Sequence, residues 1–549
     1  MLKILHNGKV YVHEGHFAQA LLVDGHRIAM VGSNEEILSA ASPVKGGFSG
    51  EIIDCGGRPV LPGFNDSHTH FIYWGRQMSE AKITDCHSID DLVQRCACHL
   101  ERNPDLSKKG LHALGWNQEL FTRGEKRMPN RQDLDRISRQ IPIVLERICA
   151  HIAVANTKAI ELLGLDASSP QFEGGVFLRE DSGFPNGIFC EKACEPLLDV
   201  LPPPSMTDYR GYFKAAMAHA VSMGLTSVQS NDIGAIGQDH MAILKMMDEV
   251  YTRGEGLLRY RHQVYCTSLS QFQERIQDGI FRRKENQDNM HVVGPLKLYK
   301  DGSLGGRTAL MRRDYLDDPG NVGMEAVSRQ ELLSFCKMAA DHNIQTVIHA
   351  IGDGAIQEVL DAFTLTMPPD NPMRNAIIHC QITDLPLLDR ISENHILVQY
   401  QPIFLNRDLH ILTSRVGSRM ASTSYAFRTA IEEMKMGDLI SFGTDAPVEN
   451  ADPFENIYAA VTRKDLSGYP LQGYYPKERV SVSQAVDAYT RGSAYGEFQE
   501  HQKGRLSPGY LADLIVLDRD IFSVPQEEIK DIKPILTMVD GNIVYSKNL

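Results

Sequence analysis

The apolar run Val60-Leu61-Pro62-Gly63-Phe64 leads through Asn65 into Asp66-Ser67-His68-Thr69-His70. Alternation along a strand puts His68 and His70 on one side, two imidazoles converging on a point. Neutral imidazole suits zinc and its neighbours, and a site that does chemistry needs further ligands plus an open position. A His-x-His pair is a weak signal by itself, so the rest of the chain has to supply partners. It offers Lys297 within Gly294–Tyr299, His349 after Thr346–Ile348, His379 after Ala376–Ile378, and Asp445 in Gly443-Thr444-Asp445. Each alone has a structural reading, as a hydrogen-bonded core histidine or, for Asp445, a helix cap. Gathered at the same ends of successive strands, they point to a metal centre.

The elements that must position these residues are eight short apolar runs separated by helical segments, the pattern of a parallel α/β fold. They are Val60–Phe64, Gly224–Val228, Tyr260–Tyr265, Pro295–Tyr299, Thr346–Ile348, Ala376–Ile378, Ile396–Tyr400 and Leu439–Phe442. Eight runs suggest a (β/α)8 TIM barrel, although periodicity alone leaves a doubly wound sheet open. Strand-like runs also occupy both ends of the chain, so residues 1–58 and 500–549 are expected to form one small composite β-sandwich domain beside a barrel at 59–499. The stretch 75–204 is too long for a simple connection after strand one. It reads as a large insertion with a helix at Ile89–Leu100 and strands at Leu111–Leu114 and Pro142–Glu146. Placed on the carboxyl side of the barrel, such an insertion should shape the pocket.

Composition bounds the partners. The net charge of −14 over 549 residues argues against nucleic acid and anionic membranes, which reward basic surfaces. No run is long enough to span a bilayer and the first ten residues lack the apolar stretch of a signal peptide, so a cytoplasmic location with reduced cysteines is expected. The expected partner is a small-molecule substrate, and assembly into a homo-oligomer is compatible with the sequence. Lys297 sits in an apolar run, where burial favours the neutral amine. A neutral amine can add carbon dioxide to give a carbamate that bridges two metals; alternatively it pairs with an acid such as Asp445 or reaches solvent.

Longer motifs carry a resemblance. Leu61–His70, Gly115-Trp116-Asn117, Gly174-Gly175-Val176 with Gly187 and Glu191, Asp301–Ala309, Gly443-Thr444-Asp445-Ala446-Pro447 and Gly504–Leu514 together make the chain similar to the amidohydrolase superfamily, and within it to the YtcJ-like (amidohydrolase 3) group. The resemblance implies a barrel with a composite β domain and a binuclear centre of His68, His70, carboxylated Lys297, His349, His379 and Asp445. The chain departs from the pattern at Ile378 before His379, at Cys149-Ala150-His151 in the insertion, and at Phe404 after Gln401-Pro402. Those departures touch substrate-facing positions and leave the ligand set intact.

The ligands imply one or two divalent ions per chain, with zinc the expected metal, lowering the pKa of a bound water toward ~7. Asp445 would take the proton and pass it to a leaving nitrogen, in hydrolysis of a non-peptide carbon–nitrogen bond such as an amide, N-acyl or N-formyl group. Trp116, His151, Asp301 and Arg307 are the candidate substrate contacts. Each has a structural alternative: insert-core packing for Trp116, a turn cap for Asp301. A mononuclear deaminase is the competing enzyme reading. A catalytically silent scaffold is the non-enzymatic one, and the complete ligand set argues against it.

Overall fold

The structure is a computed structural model that describes residues 2–41, 50–147, 152–172, 175–282 and 290–547. It forms two compact units, one from Met1–Tyr73 with Ala216–Leu549 and the other from Trp74–Ala215.

The first unit contains eight parallel strands in chain order: Phe64–Thr69, Leu225–Ser230, Arg259–Tyr265, His291–Tyr299, Thr346–Ala350, Ala376–His379, Leu397–Tyr400 and Ile440–Phe442, hereafter barrel strands one to eight. Each pairs in parallel with the next. The first and last meet at their carboxyl ends, where the Asp445 N–H donates to the His68 carbonyl at 2.8 Å and the His70 N–H to the Ala446 carbonyl at 2.7 Å. The sheet is thus a nearly closed (β/α)8 barrel, not an open doubly wound one. Helices cover it, and their starts are fixed locally: Ser328 and Glu331 form a capping box on Arg329–Asp341, and Asp384 caps Leu385–Glu393.

All eight apolar runs fall on or beside these strands, with one rearrangement. The first run is two strands: Pro59–Pro62 belongs to a different sheet, and the barrel strand begins at Phe64. Both pieces are buried throughout, so hydropathy runs unbroken across the hand-over. Gly63 marks it. A Cβ there would lie 2.1 Å from the Thr226 side chain, leaving room only for glycine.

The chain ends build two further sheets. One has four strands from the amino-terminal end, in the order Arg27–Gly32, Ala20–Asp24, Leu2–His6, Gly50–Asp54. The other interleaves both ends: Asn542–Ser546, Pro534–Val539, Leu514–Leu517, Pro59–Pro62, Lys9–His13, His16–Ala18. Leu5, Val23 and Ile53 of the first sheet share a buried core with Val10, Val60, Leu514 and Leu536 of the second. Arg259, at the start of barrel strand three, joins this region to the barrel through Asp513 at 2.7 Å and Asp540 at 2.8 Å. Among the described residues no helix is long and apolar enough to cross a membrane.

The second unit has its own five-stranded sheet, ordered Gly175–Arg179, Pro185–Glu191, Ile152–Ala155, Ile143–Arg147, Leu111–Trp116. The helix expected at Ile89–Leu100 runs Ile89–Arg102 and packs Leu92, Val93 and Cys96 into the core of this unit. On the sheet, His112 lies between two carboxylates, with Nδ1 2.8 Å from Glu80 Oε1 and Nε2 2.6 Å from Glu146 Oε1. Burial alone would lower its pKa, but the two glutamates outweigh it and push the imidazole up to about 9. A histidine raised in this way stabilises the fold fully below its unfolded pKa of 6.5, and the contribution is lost as pH rises through about 9. The stability gap between wild type and His112→Gln, measured by denaturant unfolding, should therefore be widest in mildly acidic buffer and shrink across that window. A gap independent of pH would contradict the ion-pair assignment.

Candidate metal centre

The six ligand candidates converge at the carboxyl ends of barrel strands. Barrel strand one carries His68 and delivers His70 just beyond its end, strand four carries Lys297, strand five His349, strand six His379, and Asp445 follows strand eight. The Nε2 atoms of His68 and His70 each lie 3.2 Å from Asp445 Oδ1. The rings of His68 and His379 are 5.7 Å apart, and those of His349 and His379 4.4 Å apart. Among the described residues, His68, His379 and Asp445 form a group whose ligand atoms all lie within 4.8 Å of one another. His379 and Asp445 hold left-handed backbone, φ 75° and 58°, a strained conformation for non-glycine residues and one common where side chains must be aimed at a site.

Protonation decides whether these atoms suit a cation. His68 Nδ1 faces Gln263 Oε1 at 2.6 Å and His379 Nδ1 faces Gln401 Oε1 at 2.7 Å. An amide oxygen only accepts, so each Nδ1 carries the proton and each Nε2 keeps its lone pair. The His349 Nε2–H donates to the Gly302 carbonyl at 2.9 Å, which leaves Nδ1 as the free atom of that ring. Burial, reinforced by Lys297, lowers the His68 pKa to about 4, and burial with His349 as neighbour holds His379 well below its ordinary value. Both are neutral at pH 7. Burial alone would push the Asp445 carboxyl up; positive charge shared with the His68 and His70 rings holds it well below the usual carboxylate range, a role that passes to a cation when His68 is neutral.

An imidazole lone pair thus faces a carboxylate oxygen in a buried site with no proton between them. His68 Nε2, Asp445 Oδ1 and Lys297 Nζ are all buried without a hydrogen-bond partner. Orphaned acceptors facing each other are costly unless a cation lies among them, and the donor set fits a divalent metal. Lys297 is fully buried, and burial lowers its amine to about 7; its Nζ lies 4.5 Å over the Tyr299 ring.

The family follows from matching the whole chain to known proteins. Residues 51–545 match the amidohydrolase family model. The chain belongs to the amidohydrolase family. It is 30% identical to YtcJ of Bacillus subtilis (strain 168) over 552 residues, covering all of both chains. It is 25% identical to the N-substituted formamide deformylase of Arthrobacter pascens, covering 96% of this chain and 95% of that one. The crystal structure of an uncharacterized metal-dependent hydrolase from Pyrococcus furiosus superposes with a TM-score of 0.76 at 29% identity, over 95% of this chain and all of that one. This family member is accordingly a metal-dependent hydrolase.

The substrate candidates fare differently. Trp116 is fully buried in the core of the second unit and donates its indole N–H to the Leu145 carbonyl at 2.9 Å, so packing accounts for it. Asp301 serves the fold. Its carboxylate accepts from the backbone N–H groups of Leu310, Ile351 and Gly352 at 2.8–3.0 Å, pinning the loop after strand four to the end of strand five, and its Oδ1 lies 3.3 Å from His349 Nε2. Arg307 pairs with Asp317 through two nitrogens at 3.1 and 3.3 Å, so that loop already neutralises it. His151 lies outside the described residues. Phe404, which departs from the family pattern, stacks on His379 with centroids 5.6 Å apart and forms an apolar wall beside a ligand.

Sequence reasoning missed Asp66, Asn231 and Tyr299. Asp66 is buried in the opening motif and accepts from the Thr444 N–H and hydroxyl and the His68 N–H, tying strand one to strand eight beneath the ligands. Asn231 Nδ2 donates to the Tyr299 hydroxyl at 2.6 Å. A polar residue within or just past the end of a buried strand is the signal that would have found them.

Trp116→Phe keeps an aromatic ring but trims the indole and removes its donor to the Leu145 carbonyl. It should cost about 1–3 kcal/mol of stability by denaturant unfolding and leave metal content unchanged. Loss of metal at unchanged stability would contradict the packing assignment.

Proposed function

We propose that this protein hydrolyses a non-peptide carbon–nitrogen bond of a small molecule, with an N-formyl or N-acyl amine as the substrate class. The observation that carries the reading is the pair of orphaned acceptors, His68 Nε2 and Asp445 Oδ1, in a buried site at the barrel mouth. Similarity to the N-substituted formamide deformylase along nearly the whole chain supports the choice of bond.

His68, His70, His349, His379 and Asp445 would hold one or two divalent ions, with zinc the expected metal. When bound, such ions supply Lewis acidity that lowers the pKa of water from 15.7 toward ~7 and polarises a carbonyl oxygen. The chain's residues do the rest. Asp445, ionised and buried, accepts the proton of the attacking water and returns it to the leaving nitrogen. Neutral Lys297 Nζ could add carbon dioxide and lose a proton, giving a carbamate whose oxygens would join the ligand set. The Phe404 ring excludes water on the His379 side and offers apolar contact to the substrate.

A mononuclear deaminase is the second reading, favoured by one observation: among the described residues the close ligand group is His68, His379 and Asp445. Two ions per chain with a carboxylated Lys297, seen in electron density of the metal-loaded protein, select hydrolysis through a binuclear centre. One ion with an unmodified Lys297 selects the mononuclear site.

A panel of N-formyl and N-acyl amines presented to the zinc-loaded enzyme should give turnover, and Asp445→Asn at saturating zinc should reduce kcat by about 10²–10⁴-fold. Unchanged turnover in Asp445→Asn would remove Asp445 from the proton transfer.

A further inference from the structure

Barrel strands three and seven supply no metal-ligand candidate, yet each sends glutamine into the barrel beside the ligands. Gln263 lies within strand three, Gln399 within strand seven, and Gln401 one residue past its end. All three are buried, with exposures of 0%, 3% and 1%. We propose that Gln263 and Gln401 are positioning residues that set the tautomer and rotation of His68 and His379 through neutral amides, linked to each other by Gln399. The inference rests on the metal-site reading and adds the group that aims the ligands.

The direction of each amide follows from what its nitrogen meets. Gln263 Nε2 donates to the Ser67 carbonyl at 3.0 Å and lies 3.4 Å from Gln399 Oε1. Gln401 Nε2 donates to the Gln399 carbonyl at 3.0 Å. Those partners only accept, so turning either amide over would set oxygen against oxygen. Each Oε1 is thereby left facing an imidazole Nδ1, at 2.6 Å for His68 and 2.7 Å for His379. The amide fixes the proton on Nδ1 and aims Nε2 toward Asp445.

The choice of amide has a chemical consequence. Metal-bound histidines commonly donate their other ring N–H to a carboxylate, a backbone carbonyl or water, and a carboxylate partner makes the imidazole more basic. An amide orients the ring without adding a negative charge beside the anionic Asp445. Its nitrogen also gives what a carboxylate lacks, a donor for the Ser67 carbonyl, between Asp66 and His68. Through that bond Gln263 holds the backbone and the side chain of one ligand together.

The test measures Zn2+ affinity of the full chain by chelator competition, with 15N spectra of the histidines as a second readout. Gln263→Leu and Gln401→Leu should each weaken Zn2+ binding about 10–100-fold, and Gln263→Glu and Gln401→Glu, which keep an acceptor, should bind about tenfold tighter than the leucine variants. The spectra should show Nδ1-protonated His68 and His379 in wild type and in the glutamate variants, with that tautomer lost in the leucine variants. Folded leucine variants that hold Zn2+ as tightly as wild type would overturn the proposal. So would glutamate variants that bind no better than leucine ones, and, where a leucine variant does not fold, loss of the Nδ1-protonated tautomer in the folded glutamate variant. Wild-type protein that binds no Zn2+ would instead refute the metal-site reading on which the inference rests.

Discussion

A buried carboxylate oxygen of Asp445 facing the lone pair of His68, 3.2 Å away, with His70 at the same distance, is the constraint on which the rest of the structure depends. Removed from water and without a proton to share, these atoms repel unless positive charge lies among them. The fold does not relieve the conflict by turning the His68 ring, because Gln263 holds its Nδ1 side. Instead it tightens the cluster. Asp66 gathers Thr444 and the His68 N–H, and Gly443 lets strand eight approach so closely that a Cβ would lie 2.7 Å from the His68 nitrogen. Barrel closure and ligand convergence are one event in this chain, since the backbone bonds that join strand one to strand eight are made by His68, His70, Asp445 and Ala446.

The same economy holds further out. Gly63 lets one continuous apolar run serve as a strand of the end sheet and then as the first barrel strand, while Arg259 joins strand three to the other side of that sheet through Asp513. The loop after strand four is held by Asp301 to the N–H groups of Ile351 and Gly352, just beyond His349. A carboxylate three residues beyond Leu298, read from sequence as a substrate contact or a turn cap, thus orders the ground between two ligand strands.

Much of this was legible in the chain. The strand runs stood out where a barrel strand, buried on both faces, keeps a near-continuous apolar sequence broken by Lys297, His349 and His379; strand three, with Arg261, His262 and Gln263 between its tyrosines, was the faintest. That intrusion made the ligand candidates visible. The split at Gly63 was invisible because hydropathy does not change when a buried strand passes from one sheet to another. Trp116 and Arg307 have partners within the protein that the sequence did not show, for a related reason. Their residue types suit a pocket, but the deciding facts, a Leu145 carbonyl and an Asp317 carboxylate in reach, come from tertiary contacts at separations no local pattern encodes. Gln263 went unnoticed because one uncharged polar residue in a strand carries no signal until its partner is known.

The most direct test of the account is the metal content of the purified full chain, determined by elemental analysis after exhaustive dialysis and compared with a His68→Ala, His379→Ala double variant shown to be folded. The account predicts one or two tightly held divalent transition-metal ions per wild-type chain and their loss from the variant. A folded wild-type protein that retains no such ion, even after incubation with zinc, would contradict it.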